Sequence, residues 1–98
     1  MQEEIKIIGR VAVDSGQLMI CDPCYITREF ENEFVEANTT DDFTYNGVCH
    51  KTINDSFGEI GERNTAFVTG TVYGDGVYDV EGVFNRDGKL IKVIVNLE

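Results

Sequence analysis

Four residues of this sequence have the side-chain types and part of the spacing of a metal site: Cys21, Cys24, Cys49 and His50. Thiolates and an imidazole suit tetrahedral zinc, so a Cys3His site is chemically reasonable. However, the sequence lacks the second C-x2-C or H-x3-H pair of a zinc knuckle. Adjacent Cys49 and His50 on a predicted strand would also point to opposite faces. We therefore expect no metal or other cofactor, and keep zinc as an alternative.

The same cysteine pair has the spacing of a thiol redox motif, but not its context. Redox C-x2-C pairs lie at the start of a helix that lowers the pKa of the first thiol. Here the predicted helix begins three residues after Cys24, and no βαβ pattern surrounds it. The sole histidine, His50, would have to serve as the base for any cysteine or serine nucleophile. The residue pattern therefore favours a protein that is not an enzyme.

Carboxylates offer a further catalytic alternative. A pair such as Asp22 and Asp75 could act as acid and base or hold a divalent cation. Aspartates also bond to the backbone in turns, which is the more common role. A small hydrolase would be built on Asp14, Asp22, Asp75 and Cys24.

Aromatic and basic residues suggest a binding pocket instead. Flat rings could stack on a ligand, and arginines could pair with an anionic group. We expect a proline-stopped hairpin end at Tyr25 to lie opposite the glycine-rich turn near Tyr78, with a hollow between them. The predicted ligand-binding residues are Arg10, Asp22, Tyr25, Arg63, Tyr73, Asp75 and Tyr78.

Length and charge limit the possible partners. The 98 residues fit a single domain, 1–98. A net charge of −10 argues against duplex nucleic acid, which needs a basic stripe, but not against a small anion. No apolar run is long enough to span a membrane, and the acidic N-terminus does not resemble a secretory signal. We expect a cytoplasmic protein with free thiols.

Hydrophobic alternation predicts strands in the first quarter of the chain. Residues 4–13 and 17–21 are expected to form a hairpin that turns at 14–16 and stops at Pro23. A short helix is predicted over 27–35, since Phe30 and Phe34 fall on one helical face.

Further strands are predicted in the remainder of the chain. Residues 43–53 read as a strand pair broken at Asn46-Gly47, followed by a loop over 54–64. Strands follow at 66–73, 77–84 and 90–97, with a hairpin loop at 85–88 and Ile91 and Val93 facing inward. The sequence predicts a mainly β fold: a small antiparallel barrel or curved sheet of about six strands with one short helix.

Two blocks of the sequence resemble a family of small phage and bacterial β-rich proteins of unassigned function. Residues 13–26 match a V-D-S-G-x-L-x-I-x-D-P-C-Y-I opening, and residues 74–80 match a G-D-G-x-Y-x-V block. The resemblance implies a compact β domain of phage type.

This resemblance, the small size and the potential edge strands together suggest a function. We expect a homo-oligomeric binding protein in the host cytoplasm that sequesters a cyclic oligonucleotide second messenger of antiviral defence. Its partner would then be a small, nucleotide-type anion. The alternative is an acidic inhibitor that covers a basic surface on a host protein.

Overall fold

The computed structural model describes residues 3–26 and 43–98, so the helix predicted over 27–35 lies outside the described residues. The described part of the chain forms six strands, one α-helix and a 3-10 turn at Pro23–Tyr25. In chain order these are β1 (Glu4–Val13), β2 (Gln17–Cys21), α1 (Tyr45–Asp55), β3 (Phe57–Ile60), β4 (Ala66–Gly70), β5 (Gly76–Phe84) and β6 (Leu90–Val95). None of the helical segments described is long and apolar enough to cross a membrane.

The contacts divide the chain into two compact units. Among the described residues, the first unit contains 3–16 and 72–98, and the second contains 17–26 and 43–71. Each unit has one antiparallel three-stranded sheet, in the order β1-β5-β6 and β2-β4-β3. The prediction of a mainly β fold with six antiparallel strands is confirmed. Neither sheet closes into a barrel within the described residues, so the curved-sheet alternative fits.

The first unit is built on a long β1–β5 ladder that carries a one-residue bulge between Ile7 and Gly9. Val13, Tyr78 and Val83 are its buried apolar side chains. The predicted hairpin between β5 and β6 is confirmed, since the Gly88 amide donates to the Asn85 carbonyl at 2.9 Å.

The last strand does not bury the side chains that its alternation suggested. Ile91 is 48% exposed and Val93 is 56% exposed. Since β6 pairs only with β5 among the described strands, it forms an edge of its sheet. The expectation that these side chains face inward was wrong.

The second unit packs α1 against one face of its sheet. Val48 on the helix, Ile60 on β3 and Val68 on β4 are each less than 4% exposed, and Ala66 completes the buried cluster. Met19, Cys21 and Phe43 pack around its margin. This cluster is the core of the unit because it buries its apolar area away from water.

The predicted hairpin between β1 and β2 was wrong. β1 pairs with β5, and β2 pairs with β4. The difference has a simple physical cause: β2 has five residues, and it would leave half of the ten-residue β1 unpaired, whereas β5 has nine. Longer ladders satisfy more backbone hydrogen-bonding groups.

The strand pair predicted for residues 43–53 was also wrong, because this segment contains most of α1. Thr44 caps the helix, and its hydroxyl accepts a hydrogen bond from the Gly47 amide at 2.9 Å. The Asn46-Gly47 pair lies in the first helical turn, where Gly47 is buried. The loop predicted over 54–64 was wrong in part, because it contains β3.

Truncating a large, almost fully buried side chain of the second unit tests this core. Ile60 is 1% exposed, so Ile60→Ala should lower the free energy of unfolding by about 2–5 kcal/mol. Urea denaturation followed by far-UV circular dichroism measures the change. Ile53→Ala is the control, since Ile53 on α1 is 79% exposed and its truncation should cost within about 0.5 kcal/mol. Equal losses in the two variants would contradict this description of the core.

Candidate functional site

The end of β2 is fixed by a capped turn. The Asp22 Oδ1 atom accepts a hydrogen bond from the Cys24 amide at 3.0 Å, and the Tyr25 amide donates to the Asp22 carbonyl at 3.0 Å. Pro23 suits the first position of this turn because it has no N–H group to satisfy. Cys24 and Tyr25 are held at the surface as a result.

A cleft of about 320 Å³ opens beside this turn in the second unit. Its walls come from the end of β2, the capped turn, β3, the β3–β4 loop and the start of β4. The lining residues are Ile20, Cys21, Asp22, Tyr25, Glu59, Asn64, Thr65, Ala66 and Phe67. Two of the predicted ligand-binding residues, Asp22 and Tyr25, therefore share one concave surface.

The cleft lies on the face of the sheet that α1 does not cover. Side chains alternate along a strand, so the neighbours of buried Ala66 and Val68 along β4 point to the opposite side. We call this side the outer face; the register places Leu18, Ile20, Phe57, Glu59, Phe67 and Thr69 on it. Three of its apolar members are exposed: Ile20 by 57%, Phe57 by 61% and Phe67 by 40%. The rings of Phe57 and Phe67 lie 6.4 Å apart.

The charged residues that line the cleft are both acidic. Hydrogen bonds from the backbone amide and then the side chain of Cys24 lower the pKa of Asp22, so this carboxylate is ionised at neutral pH. The Glu59 Oε1 atom accepts a hydrogen bond from the Asn64 side-chain amide at 2.5 Å. Among the lining residues that fall within 3–26 and 43–98, none is a lysine or an arginine. The cleft therefore combines an apolar surface with negative charge.

The β3–β4 loop has a backbone conformation that few residue types adopt readily. Gly61 has φ of +79°, and a Cβ atom there would lie 2.7 Å from the Thr65 Cβ. Arg63 and Asn64 follow in the left-handed region, with φ of 56° and 59°. The Thr65 hydroxyl donates to the Glu62 carbonyl. The loop thus places Asn64 in the cleft wall, while the predicted ligand residue Arg63 is exposed and does not line the cleft.

The four remaining predicted ligand residues belong to the first unit. Arg10 and Asp79 form a cross-strand ion pair, with Nε and Oδ1 3.2 Å apart. The Tyr78 hydroxyl donates to the Gly74 carbonyl at 2.6 Å, and the side chain is buried. Arg10 and Tyr78 therefore have structural partners, whereas Tyr73 and Asp75 are exposed. The hollow between Tyr25 and Tyr78 stays a prediction, since the two tyrosines lie in different units.

The three cysteines have separate surroundings. Cys21 packs against the core, Cys24 is exposed in the capped turn, and the Cys49 Sγ on α1 accepts a hydrogen bond from the Gln17 side-chain amide at 3.3 Å. His50 follows on the helix, not on a strand as predicted. Across residues 3–26 and 43–98, no three His, Cys, Asp or Glu side chains are grouped to hold a metal. Nothing in this arrangement supports the zinc alternative.

A second concave surface, of about 580 Å³, lies in the first unit. The sequence did not predict it. It is lined by Glu3, Glu4, Lys6, Phe84, Asn85, Arg86 and Gly88. The Lys6 Nζ atom lies 4.9 Å from the centre of the Phe84 ring and 3.8 Å from the Glu4 carboxylate. Glu4 lies opposite Phe84 in the β1–β5 ladder. Knowledge of this pairing would have been needed to predict the surface.

Comparison with known proteins gives no further guide. No protein-family model, curated protein or solved structure matches this chain.

The capped turn gives a prediction for the reactivity of Cys24. A hydrogen bond with the Asp22 carboxylate, together with its negative charge, raises the pKa of the Cys24 thiol. Since the thiolate is the nucleophile, Asp22→Asn should speed alkylation of Cys24 by iodoacetamide roughly two- to fivefold near pH 8. Peptide mass spectrometry measures the rate at this residue. Asp87→Asn, at an exposed aspartate of the first unit, should leave the rate unchanged; an unchanged or slower rate in Asp22→Asn would refute the assignment.

Proposed function

We propose that the protein is a non-enzymatic binding protein that docks a protein partner on the outer face of its second unit. The partner presents a basic surface that carries apolar side chains, as expected for an acidic inhibitor of a host protein. One observation carries the proposal: the cleft has apolar and aromatic walls, and the charged residues in the described part of its lining, Asp22 and Glu59, are both carboxylates.

The outer face has the composition of a docking surface. Ile20, Phe57 and Phe67 are exposed next to one another across three strands. Contiguous apolar patches with a polar rim are typical of interaction sites. Aromatic side chains are enriched there because they bury a large area with few rotatable bonds.

Charge favours a basic partner. The chain carries 18 acidic and 8 basic residues. The two charged residues in the described lining of the cleft are acidic as well. Such a field attracts a basic surface at long range and raises the association rate. It also repels a free anion from this cleft.

The chemistry of the capped turn supports binding over catalysis. The Asp22 carboxylate accepts a hydrogen bond from the Cys24 amide, so it is part of the turn. The raised pKa of Cys24 keeps the thiol protonated at neutral pH, and a protonated thiol is a poor nucleophile.

An array of short synthetic peptides tests the proposal. The probes carry two basic residues around one apolar residue, and matched probes carry glutamate in place of the basic residues. The labelled protein should bind the basic set, and added salt should weaken that binding because the attraction is electrostatic. Ile20→Ser and Phe57→Ser should each weaken it about fivefold or more.

Ile53→Ser is the matched control, since it removes an apolar side chain from α1 that is even more exposed than Ile20 and Phe57. Its binding should equal that of the unchanged protein. Equal binding of basic and acidic probes, or an equal loss in the control, would overturn the proposal.

A second candidate function is sequestration of a small nucleotide-type anion, the role suggested by the phage-family resemblance. The concave surface of the first unit favours it, because Lys6 and Arg86 could pair with a phosphate beside the Phe84 ring. A sponge of this kind would be a homo-oligomer in the host cytoplasm. Exposed apolar side chains on the edge strand β6, such as Val93, favour pairing between copies.

Thermal shift with a panel of cyclic oligonucleotides tests this second candidate. A ligand that binds the folded state should raise the melting temperature, and intact ligand should be recovered on heating. Lys6→Gln and Arg86→Gln should abolish the shift, while Lys89→Gln on the same hairpin should retain it. The sponge is excluded if no member of the panel stabilises the protein, and recovered ligand that has been cleaved would indicate an enzyme instead.

A further inference from the structure

We infer that the cleft of the second unit is a receptor for one arginine side chain of the docked partner. This inference rests on the proposed function, and it names the group that is recognised. The cleft is lined by two aromatic residues, Tyr25 and Phe67, and by two carboxylates, Asp22 and Glu59. Aromatic rings and carboxylates together are the surroundings that a guanidinium group prefers.

The size of the cleft fits a single side chain. Its volume of about 320 Å³ is at the lower end of the range for ligand pockets. A long unbranched side chain can lay its methylene groups along Ile20 and Ala66 and present its charged end to the carboxylates.

The fixed position of the carboxylates favours recognition of a planar donor group. The Cys24 amide holds one Asp22 oxygen, and the Asn64 side chain holds one Glu59 oxygen. A carboxylate that is already oriented loses less conformational freedom when it accepts N–H groups from a guanidinium.

The apolar walls favour arginine over lysine. A guanidinium is weakly hydrated and stacks on aromatic rings, whereas an ammonium is strongly hydrated and loses more on leaving water. The apolar lining therefore disfavours the ammonium group of a lysine; it includes Ile20, Tyr25 and Phe67.

The test is a titration of the full chain, followed by amide chemical shifts in NMR spectra. The probe is N-acetyl-arginine N-methylamide, compared with the matching derivatives of citrulline and lysine. Saturable shifts should be confined to the residues that line the cleft, with the citrulline derivative at least about tenfold weaker because it lacks the charge. The lysine derivative should be several-fold weaker. Equal affinity for arginine and citrulline would overturn the inference.

Variants locate the site. Glu59→Gln should weaken arginine binding about tenfold while keeping an oxygen that accepts from Asn64. Phe67→Ala should weaken it several-fold through the lost ring. Asp87→Asn removes the same charge from the hairpin of the first unit and should change the affinity less than about twofold. If Glu59→Gln binds like the unchanged protein, the cleft is not the receptor.

The outcomes separate this inference from the proposed function. If the peptide array shows equal binding of arginine and lysine probes, the docking surface is supported and the inference of an arginine receptor is rejected. If the arginine derivative binds in the cleft but no peptide binds the outer face, the receptor stands and the protein-docking role falls.

Discussion

Much of the second unit depends on one constraint: β4 is hydrogen-bonded on both sides, and these two ladders fix which of its alternating side chains lie on each face. Ala66 and Val68 point towards α1, and Phe67 points the other way between Ile20 and Glu59. The core and the cleft are thus set by the same ladder. A slip of one residue would exchange the two faces and place an aromatic ring under the helix.

The capped turn at Asp22 extends this arrangement to the end of β2. Because Pro23 cannot continue a ladder, the chain leaves the sheet where the cleft begins, and Tyr25 is brought into its wall. The Asp22 carboxylate that accepts the Cys24 amide also forms a separate hydrogen bond with the Cys24 thiol, which raises the pKa of that thiol. One carboxylate therefore both caps the turn and disfavours the reactive thiolate.

The sequence predicted the features that depend on local chemistry. The turn at Pro23 and the β5–β6 hairpin both follow from residue types within a few positions. The partners of β1 and β2 could not be predicted in this way, because pairing depends on strands that are more than 40 residues apart. α1 was missed because Asn46-Gly47 is a strong turn signal, whereas the cap at Thr44 shows only when the helix forms.

The candidate site was predictable to the same extent. Asp22 and Tyr25 lie in one continuous stretch, so sequence reasoning placed them together. Phe67 joins them only through the β2–β4 pairing and Glu59 only through the β3–β4 pairing, and Arg10 instead pairs with an aspartate on a neighbouring strand.

The left-handed backbone of the β3–β4 loop has a consequence for how the protein could evolve. Gly61 has no room for a Cβ atom, and the left-handed backbone at Arg63 and Asn64 disfavours β-branched residues. Changes in the length or the backbone conformation of this loop are therefore disfavoured. Substitutions that change the specificity of descendants of this chain should instead accumulate at positions 20, 25 and 59. The side chains at these positions line the cleft and can change without altering its backbone.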